Sequence, residues 1–426
     1  MSSTGAPPAA EPALVRRLGL ADAVIVGLGS MLGAGVFAAF GPAAAVAGSG
    51  LLIALGIAAV LAYFNATASA RLAARYPQSG GSYLYGRERL GPVWGFIAGW
   101  GFVIGKTASC AAMALTVGAY TWPEHQQLIA AGAVLAVTAV NYLGVAKTAL
   151  ITRILVALTL AALTAVVIAT LGGGTADPDN LTGWTVGGPL GIAQAAGLLF
   201  FAFAGYARIA TLGEEVRDPQ RTIPIAVPLA LGIVVAIYAL VAFSALLAVG
   251  PEELAATSAP LAAAAAAGDL GWLAGAVRIG GAVASLGVLV ALLAGIGRTA
   301  LAMARDHELP GWLGAIHPRY RVPHRAEILL GLTITAIVLI VDVRTAIGFS
   351  SFAILIYYAI ANAAAFTLTG PHQRWLRPMT ALGFLGCLAL AATLPGASVV
   401  AGAAVLAVGV VGRAVIQRWP PSSNRS

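Results

Sequence analysis

The sequence predicts an all-α integral membrane protein with about twelve helical spans, and three observations carry that prediction. Of 426 residues, 59% are hydrophobic and only 9% are charged, against about 25% charged in an ordinary soluble domain. Mean hydropathy is +0.90, so most of the chain cannot face water. The apolar residues also come in runs of roughly 20, the length a helix rising 1.5 Å per residue needs to cross the hydrocarbon core. The 52 glycines and abundant alanines suit helices that approach closely in lipid.

Composition argues against several other classes. Cys110 and Cys387 both lie inside apolar runs and offer neither a disulfide framework nor zinc spacing. The five histidines all fall in loops, with no metal pair and no nucleophile–base spacing, so neither an enzyme nor a metal site is expected. There is no Walker loop and no repeated pore motif. The net charge of +8 is dispersed between apolar runs, which fits membrane topology rather than a nucleic-acid partner. No cofactor is expected. The partners are the bilayer and a small-molecule substrate.

A Ser/Ala/Pro-rich tail, residues 1–17, ends in Arg16 and Arg17. The apolar run that follows continues through Gly33 and Phe37, longer than a signal peptide, and reads as an uncleaved first span from about Asp22. Further spans begin near Leu51, Pro92, Leu128 and Ile151, then near Gly191, Ile223, Trp272, Ile328 and Thr345, and finally near Pro378 and Ser398. The ninth is short, from Ile328 to Val341, unless its helix starts at Ala326. This divides the chain into a ten-span core over 18–370, two peripheral spans over 371–418, and a tail over 419–426.

With both termini placed in the cytoplasm, twenty of the 24 Lys and Arg residues fall in or beside cytoplasmic segments. Only Arg344 falls outside, and Lys106, Arg208 and Arg278 lie within spans. Positive charge resists translocation, so the bias predicts an inner membrane protein with both termini inside.

Two spans carry breaks. The first contains Gly29-Ser30-Met31-Leu32-Gly33-Ala34-Gly35-Val36-Phe37, where each glycine weakens a helix by about 1 kcal/mol relative to alanine. Close packing through small residues is one reading, and an unwound stretch facing a buried polar site is the other. The sixth span contains Phe200-Phe201-Ala202-Phe203-Ala204-Gly205-Tyr206 and opens the second of two five-span groups of opposite topology. Interrupted helices at matching positions of inverted halves point to a transporter's binding site. Free N–H groups can hold a carboxylate and free carbonyls an ammonium, which suits an α-amino acid.

Four segments, in order, resemble one family. The Gly33–Phe37 break is similar to the first-helix glycine motif of amino-acid permeases of the amino acid–polyamine–organocation superfamily. Tyr76-Pro77-Gln78-Ser79-Gly80-Gly81-Ser82-Tyr83 resembles their Pro-x-x-Gly-Gly-x-Tyr element after the second helix. Phe201–Tyr206, followed by Glu214-Glu215, Asp218-Pro219 and Arg221-Thr222-Ile223-Pro224, resembles their sixth helix and its exit. Met303-Ala304-Arg305-Asp306, with Leu309-Pro310 and Pro323 beyond, resembles the loop after the eighth. The resemblance implies a LeuT-type 5+5 inverted repeat with two extra helices, working as a secondary transporter by alternating access. It also implies substrate-backbone contacts at Met31, Gly33, Ala34 and Gly35, and at Phe201, Ala202, Phe203, Ala204 and Gly205.

An ionisable residue at mid-depth is a functional candidate by default. Lys106 lies roughly nine residues into the third span, which resembles the pocket-lining third helix of the arginine–agmatine antiporters. Lys106, Cys110 and Met113 would share one face at spacings of four and three. Lys106 could carry a coupling proton, attract an acidic substrate, or snorkel toward a headgroup. Some proton-coupled relatives carry a lysine in the fifth helix where Thr159 stands here. Coupling therefore falls to Lys106, to sodium held by Thr159 with Ser285, or to ion-free exchange. Arg208 suggests a gate with Glu214 or Glu215. Asn65, Asn141, Ser350, Ser351 and Asn362 read first as interhelical hydrogen-bond glue, and Trp100, Trp122 and Trp272 as interface anchors. Three intramembrane cations disfavour dicationic polyamines and favour a neutral or acidic amino acid.

Overall fold

The first apolar run breaks where its glycines predict. A computed structural model describes residues 18–76, 80–144, 149–183, 187–211, 215–369 and 373–418. Helix α1 (Leu20–Met31) ends at Leu32, the backbone leaves helical geometry at Gly33, and helix α2 (Ala34–Ala38) resumes before α3 (Phe40–Ala47). The first group continues with α4 (Leu51–Arg75), α5 (Gly81–Leu90), α6 (Pro92–Thr121), α7 (Gln126–Tyr142) and α8 (Ala149–Gly172). In the second group α9 (Gly188–Phe203) passes through a 3-10 turn at Ala204–Tyr206 into the single turn α10 (Ala207–Ala210). Then come α11 (Pro219–Ala256), α12 (Pro260–Ala266), α13 (Ala274–Arg305), α14 (His324–Ile340) and α15 (Val343–Phe366). The last two helices are α16 (Gln373–Thr393) and α17 (Gly396–Arg418). The described residues contain no strand, so the all-α prediction holds.

Among the described residues ten helical segments are long and apolar enough to cross a membrane. The other two expected spans, the fourth and ninth, are α7 and α14, with 17 residues each. At 1.5 Å per residue each is about 26 Å long, the lower limit for a span. The ninth helix starts at His324, ahead of both starts that hydropathy allows, because Pro323 ends the preceding loop. Two helices have no counterpart among the predicted spans: α5, in the loop between the second and third, and the alanine-rich α12, which is buried in what reads from sequence as an outer loop.

The helices sort by the neighbours they pack on. The broken helices α1–α3 and α9–α10 pack with α4 and α11, while α6, α7, α13 and α14 pack on one another. Helix α8 leans on α1, α11 and α13, and α15 leans on α4, α6 and α9. Expected glue is present: Asn362 Nδ2 donates to Asn65 Oδ1 at 2.5 Å between α15 and α4, and Asn141 Nδ2 donates to the Val290 carbonyl at 3.2 Å.

The outermost helix is tied to the bundle at two points. Trp100, read from sequence as an interface anchor, donates Nε1–H to the Val405 carbonyl at 2.9 Å and so links α6 to α17. Trp122 and Trp272 remain exposed, as anchors should be. Near one end of the bundle, Arg413 of α17 forms a two-pronged pair with Glu308, and its guanidinium lies over the Phe96 ring. Glu308 is 3% exposed and Arg413 12% in their side chains. Removing one partner of such a pair strands the other charge. Arg413→Ala is therefore expected to cost about 3–5 kcal/mol, read as a lowered melting temperature of the purified protein in detergent.

Candidate functional site

Each break exposes backbone groups that a straight helix would satisfy, and in lipid they need other partners. Here the two breaks meet each other. A Cβ on Gly35 would come within 2.5 Å of the Ala202 Cα, and one on Gly205 would collide with the Ser30 carbonyl and the Met31 amide. No larger residue permits this approach. Tyr238 of α11 then bridges them, its hydroxyl 2.6 Å from the Met31 carbonyl and 3.2 Å from that of Ala202. Tyr358 of α15 donates to the Ala204 carbonyl at 3.3 Å, and Tyr120 of α6 to that of Phe37 at 2.7 Å.

Beside the paired breaks lies a cavity of about 250 Å³. It is lined by Met31 and Gly35 from the first break, by Phe201, Ala202, Ala204 and Gly205 from the second, and by Lys106 and Met113 from α6. These predicted site residues are thus brought together. Gly33 packs instead against Val288 of α13, Ala34 is wholly buried, and the Phe203 ring packs on Tyr238 at 5.2 Å. Cys110, expected on the Lys106 face, is fully buried off the cavity. Its expected place is taken by Ser109, three residues from Lys106 and four from Met113. The spacings are three then four, the reverse of the expected order.

Lys106 does not snorkel. It is 5% exposed, and its Nζ reaches 3.5 Å from the Ala204 carbonyl at the second break. Ser109 shares a 2.7 Å hydrogen bond with Ser350, which also donates to the Gly105 carbonyl at 2.9 Å. Thr159 donates to the Leu155 carbonyl of its own helix at 2.8 Å, and the Ser285 hydroxyl is buried without a hydrogen-bond partner among the described residues. Neither lines the cavity. Three further lining residues, Tyr85, Tyr357 and Arg298, have no signal in the sequence that marks them. Arg298 counts by sequence as one of the charges beside a cytoplasmic loop, yet it lies within α13 and faces the cavity.

From the breaks the cavity runs to the arginine-rich end of the bundle, past Arg208, Thr211, Glu215, Arg298 and Ala302 to Gly80–Tyr83. Among the described residues its lining includes none from the opposite end. At this mouth the backbone of Leu18, just before α1, pairs with Glu215 and Arg217, which follow α10. Arg208 and Glu215 both line the cavity but are not among the ion pairs of the described residues. Glu214 lies outside the described residues. A different polar cluster is closed: Tyr83 donates to Asp306 at 2.6 Å, and Arg87 donates to Tyr83 and to Asp306, each at 2.9 Å. It joins α5 to the loop after α13. Burial and the adjacent Asp306 push the Tyr83 phenol above its ordinary value, so it stays protonated and donating. Among the described residues no group of His, Cys, Asp and Glu could hold a metal ion.

Residues 18–414 match the amino acid permease family. An uncharacterized transporter of Mycobacterium tuberculosis is 60% identical over 397 residues, covering 93% of this chain and 90% of its own. The branched-chain amino acid permease BcaP of Bacillus subtilis is 27% identical over 75% of this chain and 74% of its own. Human cationic amino acid transporter 4 is 28% identical over 84% of this chain and 60% of its own.

The Tyr238 hydroxyl serves both breaks, so its removal leaves two buried carbonyls without that donor. Tyr238→Phe is expected to lower stability by about 1–3 kcal/mol, measured as the shift in thermal unfolding in detergent. Tyr238→Leu should fall further, by the lost packing against Phe203.

Proposed function

Because this chain belongs to the amino acid permease family, we propose that it is a secondary transporter that carries amino acids across the cytoplasmic membrane by alternating access. One observation carries the reading: two broken helices meet backbone to backbone beside a cavity whose described lining extends from the breaks toward the arginine-rich end of the bundle. An α-amino acid presents one carboxylate and one ammonium. The breaks offer backbone amides and carbonyls as partners for them, and the helix ends add favourable dipoles.

The arginine-rich end is taken as the cytoplasmic one, since positive charge is retained there. The cavity is then open to the inside, with N- and C-termini cytoplasmic. Arg208 and Glu215, not paired with each other, fit an inner gate that is open in this state and closes when the breaks turn outward. The core over 18–370 would rock around the site, with 371–418 as peripheral support.

Lys106 is the proposed coupling group. It is a buried cation at the binding cavity whose hydrogen-bond acceptor is a carbonyl of the break, so gaining or losing its proton changes the charge that the break and the substrate meet. The cavity carries Lys106, Arg208 and Arg298 against Glu215, which opposes a dicationic polyamine. Sodium at Thr159 and Ser285 is the second reading, favoured by the buried, unpartnered Ser285 hydroxyl.

The test is uptake of a panel of labelled amino acids into proteoliposomes, with and without an inward proton gradient. Lys106→Ala is expected to lose gradient-driven uptake while substrate exchange survives. Uptake driven by sodium and lost in Ser285→Ala would transfer coupling to the second site. Wild-type protein that moves no amino acid under either gradient or in exchange would overturn the transport reading.

A further inference from the structure

Two carboxylates in the described chain are buried, Glu308 and Glu327. Glu308 is neutralised by Arg413. Glu327 is not: it is 2% exposed, its Oε2 has no hydrogen-bond partner, and it is in none of the ion pairs of the described residues. It sits in the first turn of α14, where an acid is favoured electrostatically. That alone does not explain its burial, because an acid serving only the helix end does so from the water side.

The surroundings of Glu327 are specific. Its side chain lies over Gly297 of α13, so close that a Cβ there would be 3.3 Å from the Glu327 Cγ and 3.7 Å from Oε1. The next residue, Arg298, lines the transport cavity. On its own helix, His324 lies one turn back toward the loop, on the same side as Glu327, with a buried Nδ1 that has no partner. The His324 ring stands 5.3 Å from His317 and 6.3 Å from Tyr142. His317 accepts backbone N–H bonds from Arg319 and Tyr320 on Nδ1, which leaves its Nε2 to carry the proton of the neutral ring. The other packed helices bring little charge: α7 has none, and Lys106 is the only one on α6. Arg325 on α14 and Arg305, Asp306, His307, Glu308, Arg319 and Arg321 at and beyond the end of α13 are the other charged groups and histidines of α14 and of residues 305–323.

An isolated carboxylate removed from water is costly unless it is paired or neutralised. Glu327 has two ways to meet that cost: a proton, delivered from the inner loop past His317 and His324, or the guanidinium of Arg298. The two exclude each other. We propose that Glu327 is a proton-binding site at the inner mouth, and that its protonation releases Arg298 into the cavity. With the proton on, Arg298 is free to meet the substrate carboxylate. With the proton off, Glu327 draws Arg298 away from the cavity. Glu327 is thus a positioning residue that tunes inner-face affinity to cytoplasmic pH, separate from the coupling assigned to Lys106. This inference rests on the transport reading for its consequence, but not for the proton site itself.

Two measurements test it. The first needs no substrate: infrared difference spectra of the purified protein across pH, wild type against Glu327→Gln. A protonated-carboxyl band that titrates in the wild type and is missing from the variant is expected. Absence of any such difference overturns the site. The second is exchange in proteoliposomes at equal pH on both sides, with the inner-face KM followed against pH. The wild-type KM is expected to fall by about tenfold as pH drops, the effect of one additional charge-assisted hydrogen bond to the substrate. Glu327→Gln should hold the low-pH KM throughout, Glu327→Asp should restore a pH-dependent KM, and Arg298→Ala should hold a high, pH-independent KM while keeping the infrared band. A wild-type pH profile in Glu327→Gln, in protein that exchanges normally at low pH, overturns the proposal. A titrating band in protein that transports no amino acid would sink the transport reading and leave the proton site standing.

Discussion

The hydroxyl of Tyr238, held between the carbonyls of Met31 and Ala202, is the contact on which the centre of this protein depends. A membrane helix can be broken only if its freed backbone groups find partners inside the protein. This chain solves that once for two helices, by pressing one break against the other and sealing both with a single phenol. Gly35 and Gly205 are the sites of closest approach, and each faces backbone rather than side chain. The tyrosines at 120 and 358 repeat the device at neighbouring carbonyls. The result is a close backbone seam flanking the cavity, in which the two breaks share one hydrogen-bond donor.

Charge is distributed in three tiers around that seam. Deepest is Lys106, buried beside the second break. Arg208, Arg298 and Glu215 line the way out without a closed ion pair among the described residues. At the rim three ion pairs close: Arg87 with Asp306, Arg153 with Asp22, and Arg413 with Glu308. Pairing at the rim stabilises the scaffold, while unpaired charges in the cavity keep their fields available to a passing ion or zwitterion. Glu327 belongs to neither group, since it is buried like a structural acid yet left unpaired like a cavity residue.

Much of this was legible in the linear chain. Hydropathy runs of span length reveal the membrane helices, because the bilayer imposes one thickness on all of them. Three glycines within seven residues mark the stretch in which the first break falls, since low helix propensity is a local property. The second is located by the small residues Ala204 and Gly205. Helical spacing from Lys106 groups it with Met113 and Cys110, whereas the cavity lining holds Met113 with Ser109, for spacings of three and four both fit one face and only rotation of the helix chooses between them. The 17-residue spans α7 and α14 lie at the limit of a length criterion, and the seven-residue buried helix α12 falls far below it.

By itself the sequence determined that this is an all-α membrane protein, where its two helices break, and that it resembles amino-acid permeases, all of which follow from local composition and short-range motifs. Only the tertiary structure decided which side chains close on those breaks. Tyr238 and Tyr357 are ordinary residues in apolar helices until the helices pack, and Arg298 and Glu327 read in the linear chain only as charges near helix ends. Their roles arise from helix rotation and from contacts between residues far apart in the chain, such as the 207 positions between Tyr238 and Met31. Side-chain packing sets those rotations, and one-dimensional periodicity does not specify them.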